Sequence, residues 1–170
     1  MIILGVGSNL TSKFGDRFNN IDIANKFLEE AEVKIVKKSS YYETPSYPDK
    51  RNPKFINIVI SVSTNKSLRD LAITLINIEN KFDRVRIKKN EPRTCDIDII
   101  DYKGQICNLK INNLEYSIPH KKLSYRNFVL FPLREIVPEW KHPKNNDHIN
   151  NLIESLSSEE KNSILMINKS

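Results

Sequence analysis

The stretch FINIVISVS, at residues 55–63, contains the clearest β-strand pattern in the chain. Successive side chains of a strand point to opposite faces, so its apolar side chains share one face that we expect to lie toward a core: Ile56, Ile58, Ile60 and Val62. Phe55 and Asn57 share the other face, where a ring beside an amide could stack on a planar ligand and hydrogen-bond to it. The alternative is an ordinary half-exposed strand face.

The residues that precede this strand predict a strand, a helix and a second strand. The apolar run from Met1 to Val6 predicts the first strand and Gly7-Ser8-Asn9 a turn. Val33 to Tyr42 is rich in β-forming residues with polar ones at alternate positions, which predicts a strand near a sheet edge, and the prolines between Thr44 and Pro53 predict a loop. Between the two strands, apolar residues recur at helical spacing: Phe14, Phe18, Ile21 and Leu28.

The residues that follow predict a helix and a further strand. Ser67 and Asp70 form a short capping box, and apolar residues then continue at helical spacing from Leu68 to Phe82. Asp83 to Thr94 has no apolar periodicity and predicts a long loop, whereas Cys95 to Tyr102 predicts a strand.

The C-terminal third predicts trailing helices. Pro119 to Ile136 has a short helical pattern with a break expected at Pro132, and Asp147 to Leu156 predicts a final helix, N-capped by Asp147. The order of elements indicates an α+β sandwich of ferredoxin-like βαββαβ connectivity, with a mostly antiparallel sheet and helices on both sides. We expect residues 1–170 to form a single domain.

Composition excludes several classes of protein. The chain has 170 residues, a net charge of +6 and 39% hydrophobic residues, which is ordinary for a globular domain and excludes a collagenous or wholly disordered chain. No apolar stretch approaches the ~20 residues that span a bilayer, and the N-terminus lacks the basic flank of a signal peptide. Two cysteines, Cys95 and Cys107, are too few for a disulfide scaffold, so we expect a cytoplasmic protein without a membrane partner.

Asp96-Ile97-Asp98 is the first constellation that could carry chemistry. Positions i and i+2 of a strand face the same side, so two carboxylates lie roughly 6.6 Å apart along the backbone. Oxygen ligands suit Mg²⁺, which is usually completed by substrate phosphates, and such a pair could bridge two metal ions. The alternative is a solvated strand face.

A basic segment leads directly into this acidic pair. Between Lys81 and Arg93, six basic residues stand against two acidic ones, a local charge of +4. Guanidinium groups match phosphate oxygens, so a basic loop beside an acidic strand predicts a polyphosphate held together with a metal. An RNA-binding module on a ferredoxin-like sheet is the weaker alternative, since the carboxylates would repel a phosphodiester backbone, and we expect no nucleic-acid partner.

Six blocks of sequence, in order, carry a resemblance to a known family. They are Gly7-Ser8-Asn9-Leu10, Tyr42-Glu43-Thr44-Pro45, Phe55-Ile56-Asn57, Arg84-Val85-Arg86, Pro92-Arg93-Thr94-Cys95-Asp96-Ile97-Asp98-Ile99, and Ile118-Pro119-His120 with Arg126-Asn127-Phe128. From about residue 2 to 138 the chain resembles the 6-hydroxymethyl-7,8-dihydropterin pyrophosphokinases. The resemblance implies transfer of pyrophosphate from ATP to the pterin hydroxymethyl, giving the pterin diphosphate and AMP, in folate biosynthesis.

The resemblance also implies a role for individual residues. Asp96 and Asp98 would hold two Mg²⁺ ions, and the catalytic arginines would be Arg84, Arg86 and Arg93. The implied ATP contacts are Glu79, Arg84, Arg93, Ile99, Ser117, His120 and Arg126. The pterin would enter between Phe55 and Phe128, and its other implied contacts are Gly7, Thr44, Pro45 and Asn57.

The chain also departs from the family pattern. Lys89-Asn90-Glu91 stand where many relatives carry Arg-Trp-Gly, whose Trp covers the pterin side. A catalytically impaired relative that binds nucleotide is therefore the alternative function. Other folate-pathway enzymes are candidate partners, and the lack of a second large domain predicts a monofunctional chain.

Overall fold

A computed structural model of the chain describes residues 1–47, 49–82, 93–111 and 114–169. The strands are β1 (Ile2–Ser8), β2 (Lys34–Lys38), β3 (Tyr41–Thr44), β4 (Phe55–Ser63), β5 (Asp96–Tyr102), β6 (Cys107–Ile111), β7 (Leu114–Ile118) and β8 (Leu165–Ile167). The helices are α1 (Arg17–Glu30), α2 (Leu68–Lys81), α3 (Asn127–Ile136), α4 (Ile149–Glu154) and α5 (Ser158–Asn162), and a 3₁₀ turn spans Leu123–Tyr125.

The main sheet has the strand order β5-β1-β4-β3-β8, and β2 pairs with the part of β4 that β3 leaves free. Every pair in this sheet is antiparallel. Strand β1 lies between the two strands that flank α2, which is the split βαβ arrangement of ferredoxin-like folds. The predicted α+β fold class is confirmed.

Helices cover both faces of this sheet. One core lies beneath α1 and α2 and includes Ile56, Ile58, Ile60 and Val62, as the alternation of β4 predicts. A second core on the other face joins Val59 to the apolar side of α3. The opposite face of β4 is therefore not half-exposed along its length, because α3 covers its central part.

The segment predicted as one strand from Val33 to Tyr42 is two strands, β2 and β3. The main chain and hydroxyl of Ser39 both bond to Val59: Ser39 N donates to Val59 O at 3.0 Å, and Ser39 Oγ accepts from Val59 N at 3.0 Å. A side-chain oxygen thus replaces a main-chain carbonyl in the ladder, and the regular strand is interrupted there.

The predicted break at Pro132 is wrong, because α3 runs through this residue to Ile136. A proline inside a helix removes one main-chain bond and costs about 3 kcal/mol. Buried apolar side chains on both sides of Pro132, among them Val129 and Leu133, pack against β4 and offset that cost.

The helix predicted at 147–156 is also shorter than that range. Helix α4 spans Ile149–Glu154, and its N-cap is His148, whose side chain accepts from Asn150 N at 3.2 Å. Asp147 is not the cap, because its carboxylate instead accepts from the side chain of Asn145 within a preceding turn. The cap predicted at Ser67 is confirmed, since Ser67 Oγ accepts from Asp70 N at 3.1 Å.

Strands β6, β7 and β8 and helix α5 have no counterpart in the predicted element order. Strands β6 and β7 form a separate antiparallel hairpin, and β8 adds a strand to β3. Among the described residues, no helix combines the length and the apolar character that crossing a membrane requires.

Candidate active site

A cavity of about 790 Å³ opens on the α3 side of the main sheet. It is lined by ten of the residues that the sequence predicts for the site: Gly7, Thr44, Pro45, Phe55, Asn57, Arg93, Asp96, Asp98, Arg126 and Phe128. The cavity therefore brings together the two implied metal ligands, two of the arginines and all six implied pterin contacts.

The floor of the cavity is set by cross-strand register. Gly7 on β1 stands opposite Asp96 on β5 and opposite Asn57 on β4, and residues directly opposite each other in antiparallel strands share a face. Gly5 likewise stands between Asp98 and Val59. Because neither glycine carries a side chain, the carboxylates and the amide face one another across an open floor.

Gly7 is tightly fitted at this place. A Cβ atom at Gly7 would lie 2.8 Å from Asn57 Oδ1, which is closer than such contacts permit, whereas a Cβ at Gly5 would lie 3.5 Å from the Ile100 side chain, an ordinary contact. Asn57 is only 7% exposed, and its Nδ2 donates to Thr44 Oγ1 at 3.1 Å. Packing and this bond fix the amide beside the wall that Phe55 forms.

At the other end of the cavity, each carboxylate is paired with a guanidinium. Arg93 donates to Asp96 Oδ2 at 2.6 Å, and Arg126 donates to Asp98 Oδ2 at 3.0 Å. The Arg126 guanidinium also lies 5.4 Å from the centre of the Phe128 ring, within the range of a cation–π contact. These pairs keep two acidic and two basic groups together at one end of the site.

His120 lies beside this charged end and does not line the cavity. Burial lowers the pKa of its imidazole, although the nearby Asp98 acts to raise it and Arg126 to lower it. Its Nδ1 accepts from Lys122 N at 3.1 Å, so the neutral ring carries its proton on Nε2. His120 is thus a hydrogen-bond donor without a formal charge near neutral pH.

The acidic pair fits a magnesium ion that a substrate helps to hold. In the parts of the chain that the structure describes, no group of three or more His, Cys, Asp and Glu side chains could hold a metal by itself. Mg²⁺ commonly takes one or two carboxylates and completes its shell with substrate phosphates and water. Asp96 and Asp98 are the two carboxylates that such a site requires.

Besides His120, three further implied ATP contacts lie away from the cavity lining. Glu79 on α2 is buried, and its Oε1 accepts from Ile97 N at 2.8 Å, while Ile99 belongs to the core beneath α1 and α2. Ser117 lies on β7 and donates to Asn108 Oδ1 at 2.6 Å. Arg84 and Arg86, with most of the basic loop and with Lys89-Asn90-Glu91, lie outside the described residues.

Asn9 is a residue that the sequence prediction left as part of a turn. Its Oδ1 accepts from Arg93 N at 2.6 Å, and its Nδ2 donates to Pro53 O at 3.0 Å and to Ser46 Oγ at 3.2 Å. This buried amide connects the segment that carries Arg93 to the loop between β3 and β4. The sequence signal that could have identified this role is the position of Asn9, a polar residue directly after a buried strand.

The C-terminal segment, residues 157–167, also contributes to the cavity, which the sequence prediction did not anticipate. Its residues in the lining are Ser157, Glu159, Glu160 and Ser163. They lie beyond the blocks that carry the family resemblance, and their pattern is typical of an exposed polar helix, so no signal distinguished them.

Solved structures with the same fold include HPPK-DHPS proteins from Plasmodium falciparum. The wild-type HPPK-DHPS crystal structure superposes with a TM-score of 0.67 at 17% identity, covering 89% of this chain and 43% of that one. A triple mutant of the same protein, with pteroate, reaches a TM-score of 0.73 at 16% identity and covers 99% of this chain and 46% of that one. This chain therefore spans less than half the length of these structural neighbours.

Sequence relatives extend the likeness beyond the fold. The 2-amino-4-hydroxy-6-hydroxymethyldihydropteridine pyrophosphokinase of Synechocystis is 33% identical over 155 residues, covering 91% of this chain and 75% of the relative. The enzyme of that name from Aquifex aeolicus is 33% identical over 142 residues, covering 84% and 83%. The family model described as 7,8-dihydro-6-hydroxymethylpterin-pyrophosphokinase (HPPK) matches residues 3–138. The chain belongs to this pyrophosphokinase family.

Proposed function

We propose that this chain transfers pyrophosphate from ATP to 6-hydroxymethyl-7,8-dihydropterin, giving the pterin diphosphate and AMP in folate biosynthesis. Family membership supports the reaction class. The observation that supports the site most strongly is the row formed by Asp96, Gly7 and Asn57, which brings a carboxylate and a fixed amide together across an open floor. A charged nucleotide and a flat heterocycle can therefore meet in one cavity.

The pterin is assigned to the end of the cavity formed by Phe55, Phe128 and Asn57. Two aromatic side chains line this end, and stacking on such rings is favourable for any flat heterocycle. The Asn57 amide is held by Thr44, so it can discriminate the polar edge of a pterin without first becoming ordered. Because Gly7 has no side chain, Asn57 Oδ1 can occupy the place where a Cβ atom would lie.

The phosphates of ATP are assigned to the end that holds Asp96 and Asp98. These carboxylates would hold Mg²⁺, two ions in our proposal, and the metal when bound neutralises charge on the phosphates. Arg93 and Arg126 already contact the carboxylates, so each guanidinium is within reach of an anion bound beside them. His120, with its proton on Nε2, can donate to a phosphate oxygen without adding charge.

The reaction joins the pterin hydroxyl oxygen to the β-phosphorus of ATP. The bond between the β-phosphorus and the oxygen bridging to the α-phosphate breaks, AMP leaves with that oxygen, and the hydroxyl proton passes to solvent or phosphate. A loose transition state requires little of a protein base, so the residues act by positioning and by stabilising charge. Arg93 and Arg126 would stabilise charge that develops on the transferred group.

A coupled assay tests this function. We expect AMP to form from ATP only when both Mg²⁺ and 6-hydroxymethyl-7,8-dihydropterin are present. AMP formation without the pterin would contradict the assignment of the second substrate. Binding of ATP with no AMP under any condition would instead support the alternative of an impaired nucleotide-binding relative.

The cellular setting and partners extend the same proposal. The chain has only two cysteines, too few for a disulfide scaffold, which suits the reducing cytoplasm that we propose. The folic acid synthesis protein of Dictyostelium discoideum is 39% identical over 143 residues, and this chain covers 20% of it. Such a long relative supports association with another folate-pathway enzyme, which co-purification from the source cells would test.

A further inference from the structure

The C-terminal segment, defined as residues 157–167, lies along one wall of the cavity. Four of its side chains line the cavity, and the whole segment lies beyond residue 138, where the family match ends. Its two main connections to the rest of the domain are at the start of α3 and along β3. The connection at α3 reaches Phe128, and the connection along β3 adjoins Thr44.

The first connection is made by Asn127, the residue before Phe128. Asn127 Nδ2 donates to Glu160 O at 2.6 Å and to Ser163 Oγ at 3.0 Å, and Asn127 Oδ1 accepts from Phe128 N at 2.7 Å. Asn127 is 8% exposed, so these bonds form largely out of water. One buried amide thus uses both of its polar atoms to join the C-terminal segment to the main chain of Phe128.

The second connection is a strand pairing. Within β8, Leu165 pairs with Glu43 and Met166 with Tyr42 on β3. The next residue of β3 is Thr44, whose Oγ1 accepts from Asn57 Nδ2. The segment therefore supports the edge that reads the pterin as well as one of the two rings that enclose it.

A third contact is weaker. Lys50 in the loop between β3 and β4 forms an ion pair with Glu159 at 2.6 Å, and both side chains are mostly exposed. Exposed pairs contribute little to stability. The buried amide of Asn127 and the pairing of β8 with β3 are consequently the contacts that hold the segment in place.

We propose that Asn127 is a positioning residue for the pterin, because it fixes Phe128 against the C-terminal segment. This inference rests on the proposed function. The side chain of Asn127 bonds to Phe128 and to the C-terminal segment, whereas the ion pairs at Asp96 and Asp98 are made by Arg93 and Arg126. Its loss should therefore weaken pterin binding selectively.

The sharpest variant is Asn127→Asp. Aspartate keeps the size of the side chain and the acceptor for Phe128 N, but it replaces the donor with an oxygen that faces Glu160 O. Asn151→Asp, at an exposed position on α4, is the matched control for the added charge. By calorimetry we expect the Kd for the pterin to rise about tenfold in Asn127→Asp, the scale of two lost hydrogen bonds, while the Kd for ATP changes less than about twofold.

Kinetics separate positioning from general damage. We expect KM for the pterin to rise in Asn127→Asp with kcat within about twofold of the unaltered chain, and Ser163→Ala, which removes one acceptor, to show a smaller rise of about threefold. Unchanged pterin affinity in Asn127→Asp, or an equal loss of ATP and pterin binding, would overturn the inference. Failure of the unaltered chain to bind the pterin would instead overturn the proposed function.

Discussion

The two ends of the cavity are built in different ways. The planar end consists of Gly7, Thr44, Phe55, Asn57 and Phe128. The charged end consists of Arg93, Asp96, Asp98 and Arg126, with His120 beside it. At the planar end the amide of Asn57 is packed against Gly7 and bonded to Thr44. At the charged end the side chains are partly exposed and satisfy one another as ion pairs.

This difference shows what each end can do when a ligand binds. The planar end is formed by packing in the free chain, so a flat ligand requires little rearrangement there. At the charged end, Arg93 and Arg126 must exchange carboxylate oxygens for phosphate oxygens as Mg²⁺ and ATP bind. The planar end should therefore be sensitive to changes of volume and the charged end to changes of charge.

Removing a carboxylate should have the largest effect. We expect Asp96→Ala or Asp98→Ala to lower kcat on the order of 10³-fold or more, because the lost metal charge stabilises the transition state by several kcal/mol. The rate of AMP formation with saturating substrates measures the change. Asp49→Ala, which removes an exposed carboxylate paired with Arg51, is the control and should leave the rate unaltered. Normal rates in the two site variants would refute the metal assignment.

The second-largest effect is expected from adding one methyl group at Gly7, which should impair the planar end and not the charged end. In Gly7→Ala the new Cβ would lie 2.8 Å from Asn57 Oδ1, and overpacking of this kind costs about 1–3 kcal/mol. We expect the Kd for the pterin to rise about tenfold or more while ATP binding is little changed, as measured by calorimetry.

Gly5→Ala is the matched control for that experiment. Its Cβ would make an ordinary 3.5 Å contact with Ile100, so we expect pterin affinity within about twofold of the unaltered chain. If both alanine variants weaken pterin binding equally, the close approach of Asn57 to Gly7 is not what shapes the planar end.

Acidification should produce the smallest effect, and at the site it should act through His120, beside the charged end. Burial lowers the pKa of His120 below its ordinary value near 6.5, so below that pH the unfolded chain binds more protons than the folded chain. The free energy of unfolding should therefore fall as pH falls from about 7 to 5, by at most about 1.4 kcal/mol per pH unit from this group.

His120→Gln tests this dependence. We expect the variant to show a smaller loss of stability between pH 7.5 and 5.5 in urea titrations. The pKa of His142 is also lowered by burial, so part of the acid dependence should remain. Identical pH profiles for the variant and the unaltered chain would show that His120 is not buried as an uncharged ring.

The sequence predicted the elements whose signal is local. The alternation in β4 identified its core face, the Ser67 cap identified the start of α2, and the resemblance gave ten residues that line one cavity. The elements that it missed depend on partners distant in the chain. Strand β8 is only three residues long and forms by pairing with β3, and the division at Ser39 depends on a bond to Val59.

The same reason explains the residues that were missed at the site. Asn127 belonged to a matched block but had no role assigned, and the C-terminal segment had no signal. Their connection exists only because the fold brings Glu160 and Ser163 to Asn127 from 33 and 36 positions along the chain. Pro132 was misjudged because its local preference opposes a helix, whereas burial of its neighbours against β4 favours one. Assignments at Arg84 and Arg86 stay predictions.

The glycine floor has a consequence for selectivity between ligands. Strand β1 is paired with β4 on one side and β5 on the other, so the N–H and C=O groups of Gly5 and Gly7 point sideways into the ladders. Although the floor consists of main chain, it gives a bound ligand a surface to pack against but no hydrogen bonds. Compounds with the same flat shape would pack against this floor about equally well. Only hydrogen bonds between their edge groups and the cavity walls would distinguish a substrate from a compound of similar shape.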